Sequence, residues 1–373
     1  MQGLREGLNT NIRRTRSRRV IALAESLGFG LCGVAPAQAS DHGDTLRTWL
    51  AKGLHGEMHY LEDHAELRLD PRKLVDDALS VICVADAYAR DRPESEKAKG
   101  PANLARYAWG DDYHNVLKKR LFKLADALRE RHPDAVFRCT TDTAPLLERE
   151  HAARAGLGYV GRNTMLIHPK HGSYTLLGCV VTTLDLATSE DLHYPDHLTP
   201  PTDHCGHCTR CIDACPTDAI PPAGYSLDAT RCISYLTLEH RSPIAPDLQP
   251  RMAGHLAGCD ICQDVCPHNQ TAKRNPLPIH PRYAPRNTRL DPAAVLDWTE
   301  DDRRTAFRGS ALKRMKLGMV QRNALITLHH EQPTPAPPAW LDRLQSIVQD
   351  PARPDLLRQT AQQLLASQSK PAD

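Results

Sequence analysis

CGHCTRCIDACP (residues 205–216) is the stretch on which the reading of this sequence turns. Its cysteines run Cys205-x2-Cys208-x2-Cys211-x3-Cys215, and Pro216 follows. Three thiolates so spaced can curl round one face of an iron–sulfur cubane while backbone N–H groups point at its sulfurs. The proline turns the chain away toward a second site. This is the bacterial two-cluster ferredoxin run, in which the fourth cysteine serves the other cluster. A second set supplies that partner: Cys232, then Cys259-x2-Cys262-x3-Cys266-Pro267, the same run with an insertion after its first cysteine. Crossing the fourth ligands assigns Cys205, Cys208, Cys211 and Cys266 to one 4Fe–4S cluster. Cys215, Cys232, Cys259 and Cys262 then hold the other. Paired C-x2-C units also bind zinc, but zinc needs neither the third cysteine three residues on nor Cys-Pro twice. A disulfide framework suits a short secreted chain rather than this one. The other four of the 12 cysteines, Cys32, Cys83, Cys139 and Cys179, lie in apolar strand-like surroundings and read as small buried hydrophobes.

A ferredoxin module needs only about 60 residues, yet more than 180 precede this one in a chain of 373. Something in that N-terminal part must accept the electrons. There, β-rich runs (SVICVADAY, AVFRCTT, SYTLLGCVVTTL) alternate with amphipathic helical stretches, Tyr113–Arg131 and Pro145–Ala155. Residues 187–204 are polar and Pro-containing and read as a linker. Helical patterns return over 291–329 and 338–367. With 47 basic and 45 acidic residues, no whole-protein field announces a nucleic-acid binder. No apolar run reaches the roughly 20 residues of a membrane-spanning helix. Arg18-Arg19 before VIALAESLGFGLCGVAPAQA imitates a twin-arginine export signal. Glu25 and Ser26 interrupt the apolar stretch, however, and Val20, Leu23, Ala24 and Leu27 recur at helical spacing. A helix stopped at Gly28 and a strand around Leu31–Val34 are expected, in a cytoplasmic protein.

Gly156-Leu-Gly158-Tyr-Val-Gly161 matches the dinucleotide fingerprint by letter, but that motif must follow a strand and open a helix. Here the glycines follow helical LLEREHAARA and precede strand-like TMLIH, so Gly156 reads as a helix C-cap. Asp142, in TDTAP just before the expected helix, reads on local grounds as its N-cap. Tyr107, Asp112, Tyr113 and His114 cluster in ARYAWGDDYH, either lining a pocket or opening the next helix with Asp112 as cap.

Seven strings in order give the chain a likeness over roughly residues 20–330: RYAWGDDYH (106–114), DTAPLLERE (142–150), AGLGYVGRNTMLIHPKHGSY (155–174), the first cysteine run, CISYLTLEH (232–240), GCDICQDVCP (258–267) and RGSALKRMKLGMVQRNA (308–324). Together they resemble the epoxyqueuosine reductases, cobalamin-dependent iron–sulfur enzymes of tRNA queuosine biosynthesis. The resemblance implies a cobalamin between the N-terminal domain and the clusters, bound without its own base on the cobalt. It implies electrons passed through the clusters to that cofactor, and removal of the epoxide oxygen of epoxyqueuosine as water. It puts the catalytic acid on Asp142, which overrides the reading as a mere cap and calls for a carboxyl whose pKa is raised by burial against the corrin. By the same resemblance Arg106, Tyr107, Asp142, Arg162, Asn163, Thr164, Ser173, Ser234 and Asp260 would lie near the cobalamin, with Gly158 and Gly161 approaching it by backbone. Asp112, His114 and Arg149 would face the nucleoside or its tRNA.

The fold expected is α+β in three parts. A cobalamin-binding α/β domain occupies 1–200, a ferredoxin-like module with two 4Fe–4S clusters 201–270, and a basic helical, HEAT-like region 271–373. From 273 to 322 basic residues outnumber acidic ones (Lys273, Arg274, Arg282, Arg286, Arg289, Arg303, Arg304, Arg308, Lys313, Arg314, Lys316, Arg322), a surface suited to RNA phosphates. The partners expected are a tRNA carrying epoxyqueuosine in its anticodon loop and a low-potential electron donor, with no membrane and a monomeric state. A reductive dehalogenase or a non-catalytic electron-transfer subunit are the rival readings.

Overall fold

Four runs of buried residues build one antiparallel sheet in the computed structural model, which describes residues 2–88, 102–195 and 197–368. The strands β1 (Leu31–Pro36), β2 (Ser80–Ala87), β3 (Phe137–Thr140) and β4 (Thr175–Thr182) lie in the order β1-β2-β4-β3. Leu31 pairs with Ala85, Cys83 with Cys179, and Phe137 with Thr182. The period of two sends Ile82 and Val84 to one face and Val81, Cys83 and Ala85 to the other, and all five are fully buried. Both faces are therefore covered. Helices α1 (Gln2–Ser26) and α2 (Tyr113–Arg131) close the first through Val20, Ala24, Leu117, Leu121 and Leu124. Helix α3 (Glu148–Arg154) closes the second through Ala152 and Ala153.

The helix and strand expected near the N-terminus are present, with Gly28 at φ +81 between them. Helix α2 occupies its expected span, and Asp112 caps it by accepting the His114 N–H. Helix α3 starts three residues later than Pro145, because Pro145 turns Ala144 away from helical conformation. Asp142 thus sits outside the helix and does not cap it. At the other end Gly156 (φ +83) and Leu157 donate to Ala153 and Ala152, a Schellman stop. The glycine string then enters a short hairpin, Tyr159–Val160 against Leu166–Ile167, rather than a helix. A Cβ on Gly158 would meet the Ile167 carbonyl oxygen at 2.4 Å, so this glycine serves the chain's own packing rather than a backbone approach to a cofactor. Gly161 is likewise closed off by the Ile167 side chain.

Helix α4 (Ile233–Leu238) lies between Cys232 and Cys259, and α5 (Leu317–His330), α6 (Pro338–Gln349) and α7 (Asp355–Gln368) follow the cysteine runs. The last three share a core with residues 102–109 and 255–257, through Leu104, Trp109, Leu256, Val320, Leu344 and Leu357. Arg322 of α5 is fully buried and donates to the carbonyls of Leu236, His240 and Ser242. Its neighbour Asn323 donates to Thr237 and Leu256. Arg322, expected on a phosphate-binding surface, is instead a rivet between α5 and the cysteine module. Arg282 and Arg286 both pair with Asp111, and Arg303 donates to the Lys313 and Met315 carbonyls. None of the described helices is long and apolar enough to cross a membrane.

Candidate active site

The two cysteine runs fold alike: a one-turn helix carries the second cysteine of Cys208-x2-Cys211 and of Cys259-x2-Cys262, Arg210–Asp213 and Ile261–Asp264. Cys266 caps the helix that Pro267 opens. The thiols gather in two neighbourhoods. Burial and the nearby Cys205, Cys266 and Cys208 push Cys211 up to about 11. Burial with Cys232, Cys211 and Cys215 pushes Cys262 up to about 12, and Cys259 is raised by burial, Cys262 and Cys232. Cys211 thus has Cys205, Cys208 and Cys266 as thiol neighbours, whereas Cys262 has Cys232, Cys215 and also Cys211. Backbone N–H groups favour the thiolates: those of Tyr235 and Ser234 act on Cys232, and those of His268 and Asn269 on Cys266. In a tetrahedral zinc site, sulfurs about 2.3 Å from the metal lie about 3.8 Å apart. Among the described residues no three cysteine sulfurs gather within 4.8 Å. Iron bound by these cysteines would relieve the mutual repulsion of the thiolates.

One cleft joins this module to the sheet domain, with about 1770 Å³ of empty space including its open mouth. Cys215, Cys232, Cys259 and Cys262 line one wall, whereas none of the other four ligand cysteines reaches it. Opposite stand Tyr113, His114, Asp142, Glu148 and Arg149. The space suits a large planar group: its lining mixes apolar Leu176, Leu177, Ile220 and Leu238 with hydroxyl and amide side chains. His114 is the imidazole of the described lining, and both its nitrogens are already engaged by carboxylates. The cleft thus offers no free histidine to coordinate a metal from the protein side.

The far wall carries a chain of charges. His114 Nδ1 lies 2.7 Å from Asp112 Oδ1, and His114 Nε2 lies 3.0 Å from Asp142 Oδ2. Lys313 Nζ reaches the other Asp112 oxygen at 2.9 Å. Burial alone would lower His114, but the two carboxylates overcome it and push the imidazolium up to about 9. Burial would raise Asp112, yet His114 and Lys313 pull it down to about 2. Asp142 is also held below the ordinary carboxylate range: His114, Tyr113 and Arg314 outweigh the desolvation that would raise it. The protein's own neighbours therefore hold the Asp142 carboxyl ionised. The proton is held on His114. Asp142 itself has φ +54, a left-handed backbone that is strained for a residue with a Cβ, and its N–H donates to Glu148 Oε1 at 2.9 Å. Burial, with the Asp142 charge, pushes Glu148 up to about 8, so this buried carboxyl is neutral at pH 7.

Of the residues expected near a cofactor, Tyr107, Asp142, Asn163, Thr164, Ser173, Ser234 and Asp260 line the cleft, and so do His114 and Arg149. Asn163 is fixed by donating to the Cys262 carbonyl, and Arg149 by donating to that of Thr164. Three expectations fail. Arg106 is not in the cleft lining: its guanidinium donates to Tyr174 and Asp264 and lies 3.7 Å from Asp260, whose carboxylate its backbone N–H also holds. Arg162 donates to the Gly206 carbonyl and lies over the Tyr225 ring, beside the first cysteine run. Asp112 is buried behind His114 and acts on the cleft only through it. Glu148 was not singled out by sequence reasoning, and Arg314 was read only as one of the basic residues of 273–322. Glu148 lies inside the quoted string 142–150, and its offset of six from Asp142 was the available signal.

Two family models match the chain: "Epoxyqueuosine reductase QueG, DUF1730" over residues 68–143 and "4Fe-4S double cluster binding domain" over residues 204–269. The chain is 38% identical to the epoxyqueuosine reductase of Cellulophaga algicola, over 84% of this chain and 98% of that protein. It is 39% identical to that of Xanthomonas campestris pv. campestris, over 83% and 85%. Among solved structures, it superposes with a TM-score of 0.79 and 29% identity on an epoxyqueuosine reductase crystallised with an epoxyqueuosine-modified tRNA-Tyr stem loop, covering 95% of this chain and 91% of that one. With the Bacillus subtilis enzyme, whose catalytic aspartate loop is swung out of the active site, the TM-score is 0.80 at 28% identity, over 96% and 91%. The cysteine cage, the cleft it shares with Asp142 and these likenesses agree: the chain belongs to the epoxyqueuosine reductase family.

Proposed function

We propose that this protein reduces the epoxide of epoxyqueuosine in tRNA to the cyclopentene of queuosine, with electrons carried singly through two 4Fe–4S clusters. The observation that carries the reading is one cleft with four cluster cysteines on one wall and the Asp142–His114 pair on the other. Cobalamin bound between those walls would supply the low-potential reduction. Tyr107, Asn163, Thr164, Ser173, Ser234 and Asp260 would hold it, and the cluster of Cys215, Cys232, Cys259 and Cys262 would be its neighbour.

Loss of the epoxide oxygen as water takes two electrons and two protons. Asp142, ionised and hydrogen-bonded to protonated His114, is the group through which the first proton reaches the oxygen; the imidazolium is its store and Asp112 anchors that store. Because the Asp142 side chain is 52% exposed, water at the mouth can supply the second. Neutral Glu148 holds the Asp142 backbone without adding charge beside it. Arg149, at the rim, faces the nucleoside or its phosphates.

The tRNA partner is supported by the relative solved with a modified stem loop, and by exposed Arg274, Arg308 and Lys316. We take residues 1–200 as the cobalamin-binding part, 201–270 as the ferredoxin-like module and 271–373 as a HEAT-like helical region. The protein acts as a cytoplasmic monomer fed by a low-potential donor. Anaerobic incubation of epoxyqueuosine-containing tRNA with the protein, cobalamin and a chemical reductant should yield queuosine. Intact clusters and bound cobalamin with no queuosine formed would overturn the substrate assignment.

A further inference from the structure

We propose that His55, His59 and Glu62 form a binding site for a divalent transition-metal ion of the zinc type, separate from the redox cleft. Their ligand atoms all lie within 4.8 Å of one another, the one such group of three among the described residues. His55 Nε2 stands 3.3 Å from Glu62 Oε1, and His59 Nδ1 stands 3.6 Å from Glu62 Oε2. Directed imidazole–carboxylate hydrogen bonds are shorter, as His114 shows at 2.7 and 3.0 Å. Ligands about 2.0–2.1 Å from a tetrahedral zinc lie about 3.3–3.4 Å apart, so the His55–Glu62 separation is that of a tetrahedron edge, and a small turn of the exposed His59 side chain would bring the third ligand into the same set.

A second observation points the same way. His55 is only 4% exposed, and its Nδ1 is buried with no hydrogen-bond partner. With Nδ1 shut away from solvent and from any acceptor, Nε2 is the His55 nitrogen left to bind an ion, and it is the one turned to Glu62. His59 and Glu62, with side chains 71% and 48% exposed, leave the remaining coordination positions to water. Imidazole nitrogens with a carboxylate select zinc and its neighbours over calcium or magnesium.

The site sits on a seam. The Glu57 N–H donates to Tyr235 Oη at 2.7 Å, and its carboxylate accepts from Arg241 and Ser242, so residues 55–62 are already stitched to the cysteine module. On the same segment, the charges of Tyr60 and Arg68 act on each other and on Asp142. An ion here would brace the edge of the cleft without touching the reacting groups.

The test is calorimetric titration of Zn²⁺ into anaerobically prepared protein with both clusters in place, so that the cysteines are occupied. We expect about one ion per chain and a raised thermal midpoint. His59→Ala and Glu62→Gln, both at the surface, should each weaken binding by about tenfold or more and abolish the thermal shift, with the cluster absorption unchanged. Failure of the wild-type protein to take up zinc, or equal uptake by all three proteins, would overturn the site.

Discussion

His114 Nε2 lies 3.0 Å from Asp142 Oδ2 while its other ring nitrogen lies 2.7 Å from buried Asp112. One imidazolium is thus clamped between two carboxylates, and its proton is shared toward the cleft. Burial alone would raise the Asp142 carboxyl, and it is the charged His114 that holds it ionised. Joined to a charged histidine it becomes the outlet of a proton store.

The first prediction is a pH profile. Since His114 is pushed up to about 9, activity should fall as pH rises through about 9, where the store empties. Asp112→Asn removes one of the two carboxylates that hold the charge. It should move that falling limb down toward the ordinary histidine value of about 6.5 without abolishing cobalamin binding. The same pair contributes stability that is complete below about 6.5 and lost through about 9. The thermal midpoint of the wild type should therefore decline over that window, and that of Asp112→Asn should decline less. An unmoved limb in single-turnover rates would remove His114 from the proton path.

Asp142→Asn should lower the rate of epoxide reduction by about 10²–10⁴-fold, the range for a positioned acid, with cluster content and cobalamin affinity intact. Wild-type turnover by this variant would refute the role of Asp142.

Glu148 holds the Asp142 loop by accepting its backbone N–H at 2.9 Å. Glu148→Ala removes the acceptor from this exposed bond, a loss of about 0.5–1.5 kcal/mol, or roughly 2- to 13-fold in loop population. The rate should fall accordingly. Glu148→Gln keeps an acceptor and is neutral, as Glu148 is below about 8. It should retain most activity at pH 7 and lose less than the wild type between pH 8 and 9. Equal rates for the alanine and wild-type proteins would show that the loop needs no such tie.

The strands and α2 were legible because burial imposes short periods on consecutive residues, as in Val81 to Ala85. The cluster ligands were legible because a cubane fixes its cysteine spacing. Family motifs led to Asp142, but its protonation could not be read from the chain. That depends on His114, 28 residues away in sequence, and on a φ of +54 that local letters had suggested was an N-cap. Arg322 was misread for a related cause. In sequence it is one cation among many, and only tertiary packing reveals three carbonyls around it.

Crossed ligation makes a prediction about iron. Cys266 belongs by sequence to the second run but in space to Cys205 and Cys208. Cys266→Ala should lower iron from roughly eight to roughly four atoms per chain and spare the cluster beside the cleft. Cobalamin binding should persist while reduction by an external protein donor is lost. Loss of the cleft-side cluster instead, read by iron content and electron paramagnetic resonance, would reverse the assignment.

Arg322 and Arg308 should separate structure from RNA binding. Arg322 is fully buried, so Arg322→Ala strands the carbonyls of Leu236, His240 and Ser242 and detaches α5 from the module. A cost of about 3–5 kcal/mol is expected, as a clear fall in thermal midpoint. Arg308 is exposed, and Arg308→Ala should leave that midpoint within about a degree. If it meets a phosphate, the slope of log affinity for tRNA against log salt should shrink by about 1. Arg322→Ala, measured below its melting temperature, should leave that slope unchanged, since a side chain sealed inside the fold releases no counterions. A slope altered by Arg322→Ala in protein still folded would mean that the basic segment rearranges to meet RNA.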